Sequence, residues 1–176
     1  APTVAVGTGE RASRWDSPSP IRYPDPDIIV LDPRFQHKVL GHAAIERIAT
    51  GFRFTEGPVY YGDTKVLVFS DIPNDRMLRF DAMSGQTSVF RQPARNSNGN
   101  TVDPQGRLVT CEHGGRRVSR TEHDGRVITI ADRWQGKRFN SPNDAVVKSD
   151  GSIWFTDPAY GIESDYEGDK SPMEID

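Results

Sequence analysis

NDAVVKSDGSIWFTDP, residues 143–158, decides how the chain is read, because NGNTVDPQGRLVTCEH, residues 98–113, carries the same pattern. Asn143 matches Asn98, Val147 matches Val102 and Gly151 matches Gly106, all at an offset of 45 residues. Further out, EGPVYYGDTKVLVFSD (56–71) fits the same template, with Glu56 in the leading position 42 residues before Asn98. The second halves of the units repeat as well: Leu78 and Gly85 match Val118 and Gly125 at an offset of 40. Each unit holds short runs of strand pattern broken by Gly, Asp, Pro or Asn turns. Four strands in ~40–45 residues mark one blade of a β-propeller. The expected fold class is all-β, a propeller of four-stranded antiparallel blades.

Blade topology then points to a site. The first strand of each unit lies innermost. Asn98 opens such a strand, Asp103-Pro104-Gln105-Gly106 turns it, and Arg107 to Glu112 runs back, so His113 returns to the end where Asn98 sits. The same logic brings Asp71 beside Glu56 and Asp157 beside Asn143. An amide or carboxylate buried at a strand mouth needs a partner. Glu56, Asn98 and Asn143 gathered at one end offer oxygen donors suited to a hard cation such as Ca²⁺, which takes ~6–8 oxygen ligands. Zn²⁺ or Mg²⁺ are the other candidates. The plain alternative is that Asn98 and Asn143 are turn formers bonding their own backbone.

Composition sets outer limits. The chain has 176 residues, 27% of them charged, with a formal net charge of −3, and no basic block reads as a nucleic-acid patch. No apolar run approaches the ~20 residues of a membrane helix. No signal segment is visible. The expectation is a soluble protein, cytoplasmic sooner than periplasmic, with no nucleic-acid or membrane partner. Cys111 is the one cysteine, which excludes an intrachain disulfide and suggests a buried, inert thiol.

Residues 1–44 read as an arm. Pro2, Pro18, Pro20, Pro24 and Pro26 disfavour regular structure. Asp32-Pro33 then predicts a helix ended by Gly41, with Asp32 as N-cap. Residues 45–176 read as propeller, beginning with a strand over Ile45–Ala49. Asp71 and Asp157 are expected to bond backbone amides at strand ends. Trp134, Trp154 and Tyr160 read as core or rim packing, and the pairs Arg116-Arg117 and Lys137-Arg138 as solvated charges.

The segments FTEGPVY (54–60), SNGNTVD (97–103), NSPND (140–144) and GSIWFTDP (151–158) together resemble the gluconolactonase and regucalcin family, also called the senescence marker protein group. The resemblance implies a six-bladed propeller with one divalent metal in its central channel and hydrolysis of sugar lactones and related esters. Carried over by motif, Glu56 and Asn143 would be metal ligands; the family's other two ligands, an Asn in a P-N-G motif and a later Asp, have no counterpart here. Six blades need ~240–270 residues at this repeat length, and about three fit in this chain. The remaining blades are therefore expected from further sequence or from a second copy. The leading expectation is a metal-dependent lactonase with a small lactone as substrate. Asn98 would contact substrate, and His113 or Asp144 would serve as local candidates for the general base. The alternatives are a non-catalytic interaction propeller and the same metal site acting on aryl esters or phosphotriesters.

Overall fold

The computed structural model describes residues 22–39 and 41–176. The chain divides into two compact units at Thr50/Gly51. Most of the proline-rich arm lies outside the described residues. Within the first unit, Asp32 caps helix α1 (Pro33–Gln36) as expected, its side chain accepting from the Arg34 N–H at 2.8 Å. The helix stops at His37, short of Gly41. It buries none of its residues, and a helix without a packed face is marginal. The expected strand at Ile45–Ala49 is absent. Ile45 gives its N–H to the Asp25 carboxylate at 2.7 Å, so its donor is satisfied without a ladder.

The second unit is built of blades. Strands β1 (Thr55–Tyr61), β2 (Val66–Asp71), β3 (Arg76–Asp81) and β4 (Gln86–Arg91) form one four-stranded antiparallel sheet in chain order. Strands β5 (Ser97–Val102), β6 (Leu108–Glu112), β7 (Arg117–Thr121) and β8 (Val127–Ala131) form a second. A small hairpin, β9 (Arg133–Trp134) and β10 (Lys137–Arg138), follows. The third unit is present as its inner hairpin, β11 (Ala145–Val147) and β12 (Ile153–Phe155). Its pairs Ala145↔Phe155, Val146↔Trp154 and Val147↔Ile153 repeat Asn100↔Thr110, Thr101↔Val109 and Val102↔Leu108 at the 45-residue offset. Helix α2 (Tyr160–Glu163) follows this hairpin.

One register expectation needs correction. Met77 pairs with Ser70 as Val118 pairs with Cys111, and the hairpin from Phe80 to Thr87 is one residue longer than that from Thr121 to Val127. Met77, rather than Leu78, is therefore the counterpart of Val118, and both are core residues. Aligning the turn glycines Gly85 and Gly125 carries the extra turn residue back into the strands, which shifts the match by one.

The core lies between blades. Val68 and Met77 of the first blade pack with Ala94 and Leu108. Val109, Cys111 and Val118 of the second pack with Ala145, Val147, Ile153 and Phe155 of the third. Each interface joins the face of one blade to the next, as in aligned sheet packing. Cys111 is fully buried, and burial pushes its thiol up to about 12, so it is inert. Arg116 departs from expectation, being buried with its Nε donating to the Phe139 carbonyl at 2.6 Å. Trp134, Trp154 and Tyr160 also depart, each being more than half exposed.

Candidate active site

Equivalent bulges open the inner strands of the first two blades. One spans Glu56 to Val59, the other Ser97 to Asn100. Both contain a glycine that permits close approach to the next inner strand. A Cβ on Gly57 would overlap the Asn98 carbonyl, and one on Gly99 would overlap the Asn143 carbonyl. Gly99 N–H donates to that Asn143 carbonyl at 2.7 Å. The leading residues of three repeats are thus drawn together. They line a cavity of about 260 Å³ whose walls are Glu56, Asn98, Asn143, Asp144 and the strand residues beside them.

Buried polar residues brace this end. Asn100 donates from Nδ2 to the carbonyls of Gly57 and Asn98 and to Ser70 Oγ, each at 3.0 Å, and accepts from Thr110 Oγ1 at 2.9 Å. Ser70 Oγ also donates to the Asn98 carbonyl at 2.7 Å. Asn100 was not singled out from sequence. An Asn where the next repeat has Ala145 was the available signal, since a buried amide on an inner strand must be bonded on both sides.

His113 ends up deeper than its surroundings in sequence suggest. It is fully buried, and its Nε2 lies 3.1 Å from Asn98 Nδ2 and 3.3 Å from Asn143 Nδ2. Its Nδ1 makes no hydrogen bond; the Glu167 carboxylate is 3.6 Å away. Burial lowers the imidazole pKa to about 4, against a weaker opposite pull from the Glu167 backbone, so the ring is neutral near neutral pH. Asn98 and Asn143 have no hydrogen bond to Oδ1 among the described residues. Glu56 is exposed and has no ion pair there. Asp144 is exposed, with Oδ1 accepting from the Ala145 N–H at 2.9 Å.

Glu167, from the segment after α2, was invisible to the repeat argument because it belongs to no blade. Its carboxyl is raised by burial first and then by the nearby charges of Glu56 and Glu163. Glu167 thus feels the charge of Glu56, which lines the cavity. Asp71 behaves as expected, accepting from the N–H groups of Arg53 and Phe54 at 3.0 and 3.3 Å. Asp157 accepts from the Asn140 N–H at 2.8 Å.

Comparison with known proteins agrees with this architecture. Residues 54–173 match the family described as SMP-30/Gluconolactonase/LRE-like region. The chain belongs to that family. A gluconolactonase of Zymomonas mobilis is 33% identical over 143 residues, covering 73% of this chain and 40% of that protein. The solved structure of a gluconolactonase from Xanthomonas campestris is 38% identical with a TM-score of 0.70, over 73% of this chain and 42% of that one. A structural-genomics target classed with the gluconolactonases is 42% identical, also at 0.70, over 74% of this chain and 45% of that one. The chain therefore spans less than half the length of these relatives. No helix among the described residues is long and apolar enough to cross a membrane.

The donor set suits a hard divalent cation in kind. A carboxylate (Glu56) and two amide oxygens unbonded to protein (Asn98, Asn143) share one cavity. It is incomplete in number, since no cluster of three or more His, Cys, Asp or Glu forms among the described residues. Water, substrate or further donors would have to complete the shell.

Proposed function

We propose that this chain carries part of the active site of a metal-dependent hydrolase that opens sugar lactones. What supports the reading is the convergence of Glu56, Asn98, Asn143 and Asp144 on one cavity in a chain of the gluconolactonase family. Glu56 and Asn143 would hold the cation; hard oxygen donors favour Ca²⁺ over Zn²⁺, and a site without octahedral donors suits Ca²⁺ better than Mg²⁺. When bound, the cation supplies Lewis-acid chemistry toward a carbonyl. Asn98 lies between those two in the blade sequence and is placed to contact the lactone.

Asp144 is the local general base. It is exposed on the cavity wall, whereas His113 is sealed off behind the two amides. Water attacks the lactone carbonyl carbon as its proton passes to the Asp144 carboxylate; the ring C–O bond then breaks, and the ring oxygen takes up a proton to become the hydroxyl of a hydroxy acid. The test is hydrolysis of a sugar δ-lactone by the intact protein, with and without a chelator. Glu56→Gln should lower kcat/KM by roughly two orders of magnitude, the scale of losing one electrostatic stabiliser. Asn143→Ala should weaken calcium binding as well as rate. Unchanged hydrolysis by the Glu56→Gln protein would refute the reading.

A further inference from the structure

The imidazole of His113 is buried away from the cavity, yet among the described residues it is the one side chain within hydrogen-bond reach of both cavity amides. We infer that His113 is a positioning residue whose Nε2 accepts an N–H from each of Asn98 and Asn143, turning both Oδ1 atoms toward the cavity. This rests on the metal-site reading above, for which it specifies how the neutral ligand Asn143 and the substrate-contacting Asn98 are aimed.

Three observations carry it. The first is the repeat itself. The position of His113 in the first blade is taken by Ile72, equally buried, and in the third unit by Pro158. Filling this position does not require an imidazole; the polar ring appears only where it stands between two asparagines. The second is the surroundings of the other ring nitrogen. Glu167 Oε2 is the acidic group facing Nδ1, at 3.6 Å, and a carboxylate on that side favours the tautomer with the proton on Nδ1. Nε2 is then a bare acceptor, and amide nitrogens are the ends that should face it. The carboxylate on one side and the amides on the other are served by this one tautomer.

The third observation is that the residue is fixed at its backbone and its ring is enclosed. His113 N–H donates to the Asn96 carbonyl at 3.1 Å, and its own carbonyl accepts from Arg116 N–H at 3.1 Å. Gly161 of α2 lies flat against the ring, where a Cβ would come within 2.5 Å of Cγ and 2.7 Å of Nδ1. A clamped ring with one lone pair aimed at two amides acts as a template. Residues placed behind metal ligands in this way typically change metal affinity by about 10–100-fold when lost.

The experiment uses the intact protein, calcium chloride alone as probe, and three readouts. Ring ¹⁵N spectra, simplified by only four histidines in this chain, should show His113 protonated on Nδ1 with Nε2 bare. Calorimetry should show His113→Gln, whose Oε1 reaches the place of Nε2, binding calcium within about threefold of wild type. His113→Met, similar in length but with only a weak acceptor, should bind about 10–100-fold more weakly. Thermal melts separate loss of the site from loss of the fold. A proton on Nε2, or equal calcium affinity in folded His113→Met, overturns the proposal. If His113→Met does not fold, the wild-type spectrum and the His113→Gln affinity decide. Should wild type bind no divalent cation, the metal reading fails by itself, and the ring spectrum still decides which way the amides point.

Discussion

Asp71 and Asp157 occupy the same place in the first and third repeats, yet their chemistry differs. Asp71 closes β2 opposite Thr55; Asp157 follows β12 at the matching position. Asp71 is fully buried and ion-paired with Arg76 at 2.8 Å. Burial alone would raise its pKa, but hydrogen bonds from Asn74, Arg53, Arg76 and Phe54 outweigh it and hold the carboxyl below the usual range. The second blade repeats the device one methylene longer, with Glu112 facing Arg117 and bonded to it at 2.6 and 3.1 Å. Where the third repeat would supply that arginine it has Ile162, and the chain there is helix α2. Asp157 is left with Oδ1 unpartnered, and burial raises its pKa. A repeat can place a carboxylate, but its neighbours decide whether the charge is welcome.

The comparison can be broken by mutation. Asp71→Ala should cost about 3 kcal/mol of unfolding free energy, because it strands a partly buried arginine. Chemical denaturation that finds no loss would show that the pair contributes nothing. Acid should act through the same residue. Its folded pKa lies below the unfolded value of about 3.9, so its contribution is complete above that value and is lost as pH falls through the folded pKa. Asp71→Asn should therefore flatten the loss of stability below about pH 4, measured as midpoint against pH.

The smallest effect is expected at Asp157. Its folded pKa is raised, so its ionised form is a liability once pH exceeds that pKa. Asp157→Asn, which keeps an acceptor for the Asn140 N–H, should change stability by less than about 1 kcal/mol at neutral pH. A loss as large as that of Asp71→Ala would mean that the distant pull of Arg116 on Asp157 counts for as much as the direct pair of the first blade.

The repeat was legible because blades bury one strand face after another, so apolar spacing must recur. The offsets of 45 and 42 residues brought Glu56, Asn98 and Asn143 to one cavity without any coordinates. Local turn chemistry was legible too, as in the Asp32 cap of α1. The match of Leu78 with Val118 slipped by one because the turn after β3 is one residue longer than the turn after β7, and the offset was taken from the turn glycines. The strand expected at Ile45–Ala49 had the right pattern but pairs with no strand among the described residues, the Asp25 carboxylate taking its first N–H instead.

By itself the sequence determined the period, the order of strands and which residue types lead each inner strand, since these follow from local spacing. Tertiary structure alone decided their environments. Arg116 reads as a solvated charge and is buried against the Phe139 carbonyl. His113 reads as a loop histidine and lies sealed between two asparagines and Glu167. Burial, pKa and hydrogen-bond partner depend on segments far apart in the chain, such as residue 167 closing on residue 113, and no local pattern encodes that meeting.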